Sequence, residues 1–187
     1  MPIPRLRIDN TILLVIDVQE KLVPSIVDRE RIIGNCAILL KMAAELGMPY
    51  VVTEHYPKGL GRTVPAITSA MVDPSARIEK TKFSAVVELV EDQLRRWGRS
   101  CVLVSGIEAH VCVLQTVLDL QMIGRQCFLV SDAISASQPD QREHALRRME
   151  AAGAVTTGVL SVMYELLGDA RHPAFRPCLD LARQIRL

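Results

Sequence analysis

The chain has 187 residues, 49% apolar and 23% charged, with 22 Lys and Arg against 21 Asp and Glu and a formal charge of +1. A typical domain takes about 150 residues, so one domain is expected over 1–187, with a core at 10–168 and a tail at 170–187. Near-neutral charge and seven aromatic residues predict no nucleic-acid partner. The longest apolar run, Ile12–Ile16, is too short for a membrane span, so no membrane partner is expected. The N-terminus, Met-Pro-Ile-Pro-Arg-Leu-Arg, has no apolar signal core, which points to the cytoplasm. Five widely spaced cysteines without a Cys-x-x-Cys pair argue against a disulfide framework or zinc finger and fit a reducing compartment.

In chain order, Thr11–Asp17 (TILLVID) reads as a strand buried on both faces. A helix follows, capped by Asp28 and stopped by Gly47. Tyr50–Glu54 is the second strand. Residues 57–75 carry prolines and glycines and read as a long loop. Ala76–Lys80 is a short third strand, and Ser84 caps a helix with Val87, Val90, Leu94 and Trp97 on one face, ended by Gly98. Cys101–Gly106 is the fourth strand, Ala109–Ile123 an apolar, buried helix, and Gln126–Ser131 the fifth strand. A helix starts at Ser137 and Asp140 and runs to Gly153. Ala154–Thr157 is the sixth strand, and a last helix runs to Gly168. The tail beyond it, with Pro173 and Pro177, is expected to lie along the surface or a partner subunit. Strands separated by helices predict βαβ units: an α/β fold with a parallel sheet between two helical layers.

Ligands of such sheets bind beyond the carboxyl ends of the strands. Asp17, Lys82 and Cys112 lie there and form a coherent chemical set. Cys112, expected in the first turn of a helix and near the Lys82 ammonium, would have its thiol pKa lowered. Asp17 can take the thiol proton and return it to a leaving group. Plainer readings stand beside this one. Cys112 between two valines fits a small core residue, Lys82 a solvated side chain, and Asp17 a helix cap. Gln19, Glu54, Tyr56, Glu108 and His110 are expected to line the same pocket. Cys36, Cys101 and Cys127 sit in apolar runs and read as inert core.

Three separated stretches, LLVIDVQEKL at 13–22, EKTKFSA at 79–85 and SGIEAHVCV at 105–113, resemble the isochorismatase-like cysteine hydrolases in order and spacing. VTEHYPKGLGRTVP at 52–65 and RHPAFR at 171–176 are similar to the isochorismatase-domain-containing subgroup. The resemblance implies a three-layer α/β/α fold whose six-stranded parallel sheet has the order 3-2-1-4-5-6. It implies Asp17, Lys82 and Cys112 as the catalytic triad, and a cis peptide between Ile107 and Glu108. The N–H groups of Glu108 and Cys112 would then form an oxyanion hole. It further implies a homo-oligomer, a dimer or larger, acting without a cofactor on a small molecule. Metal-using relatives have an Asp-x-His after strand two. Tyr56 stands at one of those positions, and the remaining spacing does not make a zinc site, so no metal is expected. Isochorismate-cleaving relatives tend to have glycine where this chain has Cys112, which argues for amide-type or related carbonyl substrates instead. A catalytically silent scaffold or regulator and a redox-reactive thiol protein are the alternatives.

Overall fold

The computed structural model describes residues 3–185. Among them, six strands form one sheet: β1 (Thr11–Ile16), β2 (Tyr50–His55), β3 (Arg77–Lys80), β4 (Cys101–Gly106), β5 (Gln126–Ile134) and β6 (Val155–Thr157). The order is β3-β2-β1-β4-β5-β6 and all pairs are parallel. The helices are α1 (Arg29–Glu45), α2 (Pro57–Leu60), α3 (Pro65–Thr68), α4 (Glu88–Trp97), α5 (Leu114–Met122), α6 (Pro139–Ala151), α7 (Val159–Leu167) and α8 (Phe175–Ala182).

The unbroken apolar run of β1 has a direct structural reason. Side chains alternate across a strand. Leu13 and Val15 enter one core with α1, α7 and α8, while Ile12, Leu14 and Ile16 enter the other with α4, α5 and α6. Both faces are covered, so after Thr11 neither parity carries a polar residue until Asp17. Leu13, Val15 and Ile16 are wholly buried, and each such side chain contributes about 1.5–3 kcal/mol.

Several boundaries differ from the sequence expectation. The 57–75 segment contains α2, α3 and a 3-10 turn at Pro74–Ala76 rather than a structureless loop. The helix expected from Ser84 starts at Glu88. The Ser84 hydroxyl instead accepts the Val86 N–H at 3.1 Å, while Val86 and Val87 pack against the core. The single helix expected at 109–123 is a π-helical turn, Ala109–Val113, followed by α5. Its far end is not buried: Met122 is 84% exposed. The tail forms α8, whose Cys178 is wholly buried in the α1 core.

Candidate active site

The strand order reverses between β1 and β4, where the chain emerges from the two strands towards opposite flanks. This is the place where doubly wound sheets open a crevice. Gly106 ends β4 at φ +112°, and a Cβ there would lie 2.1 Å from the Ile16 carbonyl oxygen. Only glycine lets the two strand ends approach so closely. Asp17 follows β1 at φ +52°, a left-handed conformation that aspartate tolerates better than most residues. The Ile107–Glu108 peptide is cis.

The lysine that meets Asp17 is Lys80, not Lys82. Lys80 Nζ lies 2.6 Å from Asp17 Oδ2, with both side chains fully buried. The same ammonium donates to the carbonyls of Phe83 (2.9 Å) and Lys82 (3.2 Å). The correction has a simple physical cause. In β3 the alternation is exposed, buried, exposed, buried, so Ile78 and Lys80 point inward. The long Lys80 side chain crosses the edge of β2 to reach β1. Lys82 lies past the strand and its side chain is exposed; it serves the site through its carbonyl.

Cys112 sits in the π-helical turn and is 5% exposed. Its thiol interacts with both Asp17 and Lys80. Burial pushes the thiol up to about 12, the Asp17 charge adds to the rise, and Lys80 offsets part of it. This reverses the expected lowering. Loss of water around the sulfur and a neighbouring carboxylate outweigh the lysine, so the resting group is a neutral thiol. Thr116 holds the turn in place. Its hydroxyl donates to the Cys112 carbonyl at 2.5 Å and accepts the Ala85 N–H at 2.8 Å.

The five expected pocket residues divide. Gln19 is wholly buried and spent on the backbone. Its Nε2 donates to the carbonyls of His55 (3.0 Å) and Gly61 (2.8 Å), and its Oε1 accepts the His55 N–H at 2.7 Å. Glu54 is likewise buried and accepts from the Thr63 N–H (2.8 Å), the Thr63 hydroxyl (2.7 Å) and Arg62 Nη1 (2.9 Å). Burial alone would raise the Glu54 carboxyl, but the Thr63 and Arg62 contacts outweigh it and hold it below the usual range. Both residues clamp the 56–63 segment rather than face a ligand, because a fully buried side chain with all its bonds made has none to offer. Tyr56 is 53% exposed and lines a cavity of about 460 Å³ with Lys58, Thr81, Lys82 and Leu89, beside Lys80. Glu108 accepts the Ser137 N–H at 2.8 Å. His110 lies 3.5 Å from that carboxylate, and its Nδ1 has no hydrogen-bond partner. These two flank the turn that carries Cys112. The amides of Ala109, Val111 and Val113 are taken up by carbonyls of Ser135 and Glu108.

Sequence reasoning missed Lys80, Thr53 and Thr116. Period-two alternation in β3 signals Lys80. Nothing local signals Thr53, whose hydroxyl donates to Asp17 from 36 residues away, or the bond that Thr116 accepts from the distant Ala85 N–H. Another cavity, of about 520 Å³, opens at the opposite end of the strands between Met48, Tyr50, Asp73, Trp97 and Arg99. Its polar groups pair with one another, Asp73 with Tyr50 and with Ser75, and no cysteine lines it.

Residues 11–159 match the family model described as the Isochorismatase domain. The isochorismatase domain-containing protein 2 of Xenopus laevis is 40% identical over 89% of this chain and 80% of its own. A solved structure described as a MAR1 ribonuclease from Caenorhabditis elegans is 38% identical, with a TM-score of 0.91 over 95% of this chain and 92% of its own. YcaC from Pseudomonas aeruginosa, solved with hexane-2,5-diol and covalent acrylamide, is 25% identical, with a TM-score of 0.88 over 99% of this chain and 97% of its own.

Proposed function

The chain belongs to the isochorismatase family, and on that premise we propose that it is a cysteine hydrolase of small amide-type or related carbonyl compounds. The observation that carries this reading is the convergence of a buried thiol on a buried carboxylate–ammonium pair. A thiol held near pKa 12 is not a nucleophile by itself. Asp17 must take its proton as the sulfur–carbon bond forms, which is general-base chemistry. The Cys112 sulfur attacks the carbonyl carbon and the oxygen gains charge. The N–H groups of Glu108 and Cys112 would receive that charge. The C–N bond then breaks, and the leaving nitrogen takes the proton from Asp17. A thioester remains on Cys112. Asp17 removes a proton from an entering water, the water oxygen attacks, and the acid departs as the proton returns to sulfur. Lys80 keeps Asp17 paired and oriented throughout.

Tyr56, Glu108 and His110 would select the substrate. No cofactor is required by these steps. The cytoplasm suits a free thiol nucleophile; no helix of the described residues is long and apolar enough to cross a membrane. Exposed Met122, Ile123, Leu160 and Tyr164 fit burial in a homo-oligomer.

A panel of small amides, hydroxamates and esters tests the proposal, with isochorismate and RNA included. Activity on a panel amide or ester should fall to background in Cys112→Ala and in Asp17→Asn, since cooperating groups fail together. Chelation should leave it unchanged. A net charge of +1 and seven aromatic residues supply little phosphate or base recognition, so RNA should stay intact. Isochorismate turnover or RNA cleavage that survives Cys112→Ala, or activity lost with EDTA and restored by zinc, would overturn the reading.

A further inference from the structure

β2 is buried almost throughout, and the Thr53 hydroxyl lies in its interior with no exposed surface. A hydroxyl in a dry layer destabilises the fold unless it is bonded. Thr53 Oγ1 donates to Asp17 Oδ1 at 2.7 Å, while the Thr53 carbonyl accepts the Asp17 N–H at 3.1 Å. The second carboxylate oxygen, Oδ2, is held by Lys80 at 2.6 Å. Each oxygen therefore has one donor from a different strand, and the plane of the carboxylate is fixed by two bonds. A carboxylate has about four acceptor sites, so this arrangement still leaves a lone pair for the Cys112 proton.

We propose that Thr53 is a positioning residue, whose hydroxyl orients the Asp17 carboxylate towards Cys112. The inference rests on the reading of Asp17 as the base for Cys112. A hydrogen bond donated to a carboxylate stabilises the charged form and is stronger than a neutral one. Without it, the Asp17 carboxylate turns more freely about the Lys80 contact and presents its free lone pair to the thiol less often. The other groups facing Asp17 are Lys80 from β3, Cys112 from the π-helical turn, and His55 at the end of β2, whose charge interaction with Asp17 is also felt. Of these, Lys80 donates to the other oxygen, Oδ2.

Addition of acrylamide to Cys112 reads the site without knowledge of the natural substrate. The thiol proton passes to Asp17 and the sulfur bonds to the terminal vinyl carbon. The displaced electron pair moves to the neighbouring carbon, which takes the proton back from Asp17. The adduct on Cys112 is followed by mass spectrometry at pH 7 on the full chain, beside the melting temperature of each variant. Thr53→Val should slow the adduct about tenfold, as a misplaced reacting group does, and Thr53→Ser should restore it. A purely structural role would lower the melting temperature in Thr53→Val without slowing the adduct on the folded protein. Should the valine variant misfold, Thr53→Ala carries the same test. A rate that coincides in wild type and in the folded variant overturns this inference alone, provided that Asp17→Asn abolishes the reaction. A rate that persists in Asp17→Asn overturns the base reading and this inference with it.

Discussion

Replacing Lys80 by Met removes the ammonium and keeps most of the stem. At 2.6 Å and an effective dielectric of about 20, the attraction to Asp17 is about 6 kcal/mol before desolvation. Desolvation of both ions offsets much of this, so the pair adds little net stability. Removing one partner is different, because a fully buried carboxylate is then left without its cation. The carbonyls of Lys82 and Phe83 also lose their donor. Breaking a buried pair in this way costs about 3–5 kcal/mol. For a chain of this size each kcal/mol shifts the melting temperature by about 2–4 °C, so a fall of about 6–20 °C is expected. Lys82→Met removes only an exposed side chain and should stay within about 0.5 kcal/mol. Thermal melts at pH 7, followed by far-UV circular dichroism, separate the two. If Lys82→Met were as damaging as Lys80→Met, or if Lys80→Met melted with the wild type, the placement of the buried pair would be refuted.

Cys112, with its thiol pushed to about 12, should react with iodoacetamide more slowly at pH 7 than a free cysteine of pKa about 8.5. Its rate should still climb between pH 9 and 11. The sign follows from burial and the Asp17 charge, both of which disfavour the thiolate; a rate at pH 7 at or above that of the free cysteine would contradict it. Thr116→Val should lose about 1–3 kcal/mol in urea denaturation, since it strands the Ala85 N–H and the Cys112 carbonyl, and Thr116→Ser should recover most of that. Glu54 has a depressed carboxyl, so its contribution is full above the ordinary glutamate value of about 4.3 and is lost as pH falls through its folded value. Proteolysis within residues 56–63 should therefore rise on acidification in the wild type, and Glu54→Gln should show that rise already at pH 7.

Much of this architecture was written in local pattern. Unbroken apolar runs marked β1, β4 and β5, and glycines at 98 and 168 end α4 and α7 in the left-handed conformation, as helix-stop chemistry requires. Asp17 and Cys112 were legible because a strand end and the following turn are local events, and the fold rule puts both at the same edge of the sheet. Lys82 was mistaken for Lys80 because the stretch EKTKFSA offers two lysines. The choice between them depends on where β3 stops and which parity faces the core, and strand ends are set by pairing with β2 rather than by the four residues themselves. Gln19 and Glu54 look like pocket residues in sequence because they follow strands. Only the folded 56–63 segment turns back to consume their hydrogen bonds. The reactivity of Cys112 lies furthest from the sequence. A thiol's proton affinity is set by the water it loses and the charges that face it, and both come from β1 and β3, about 30 to 95 residues away along the chain.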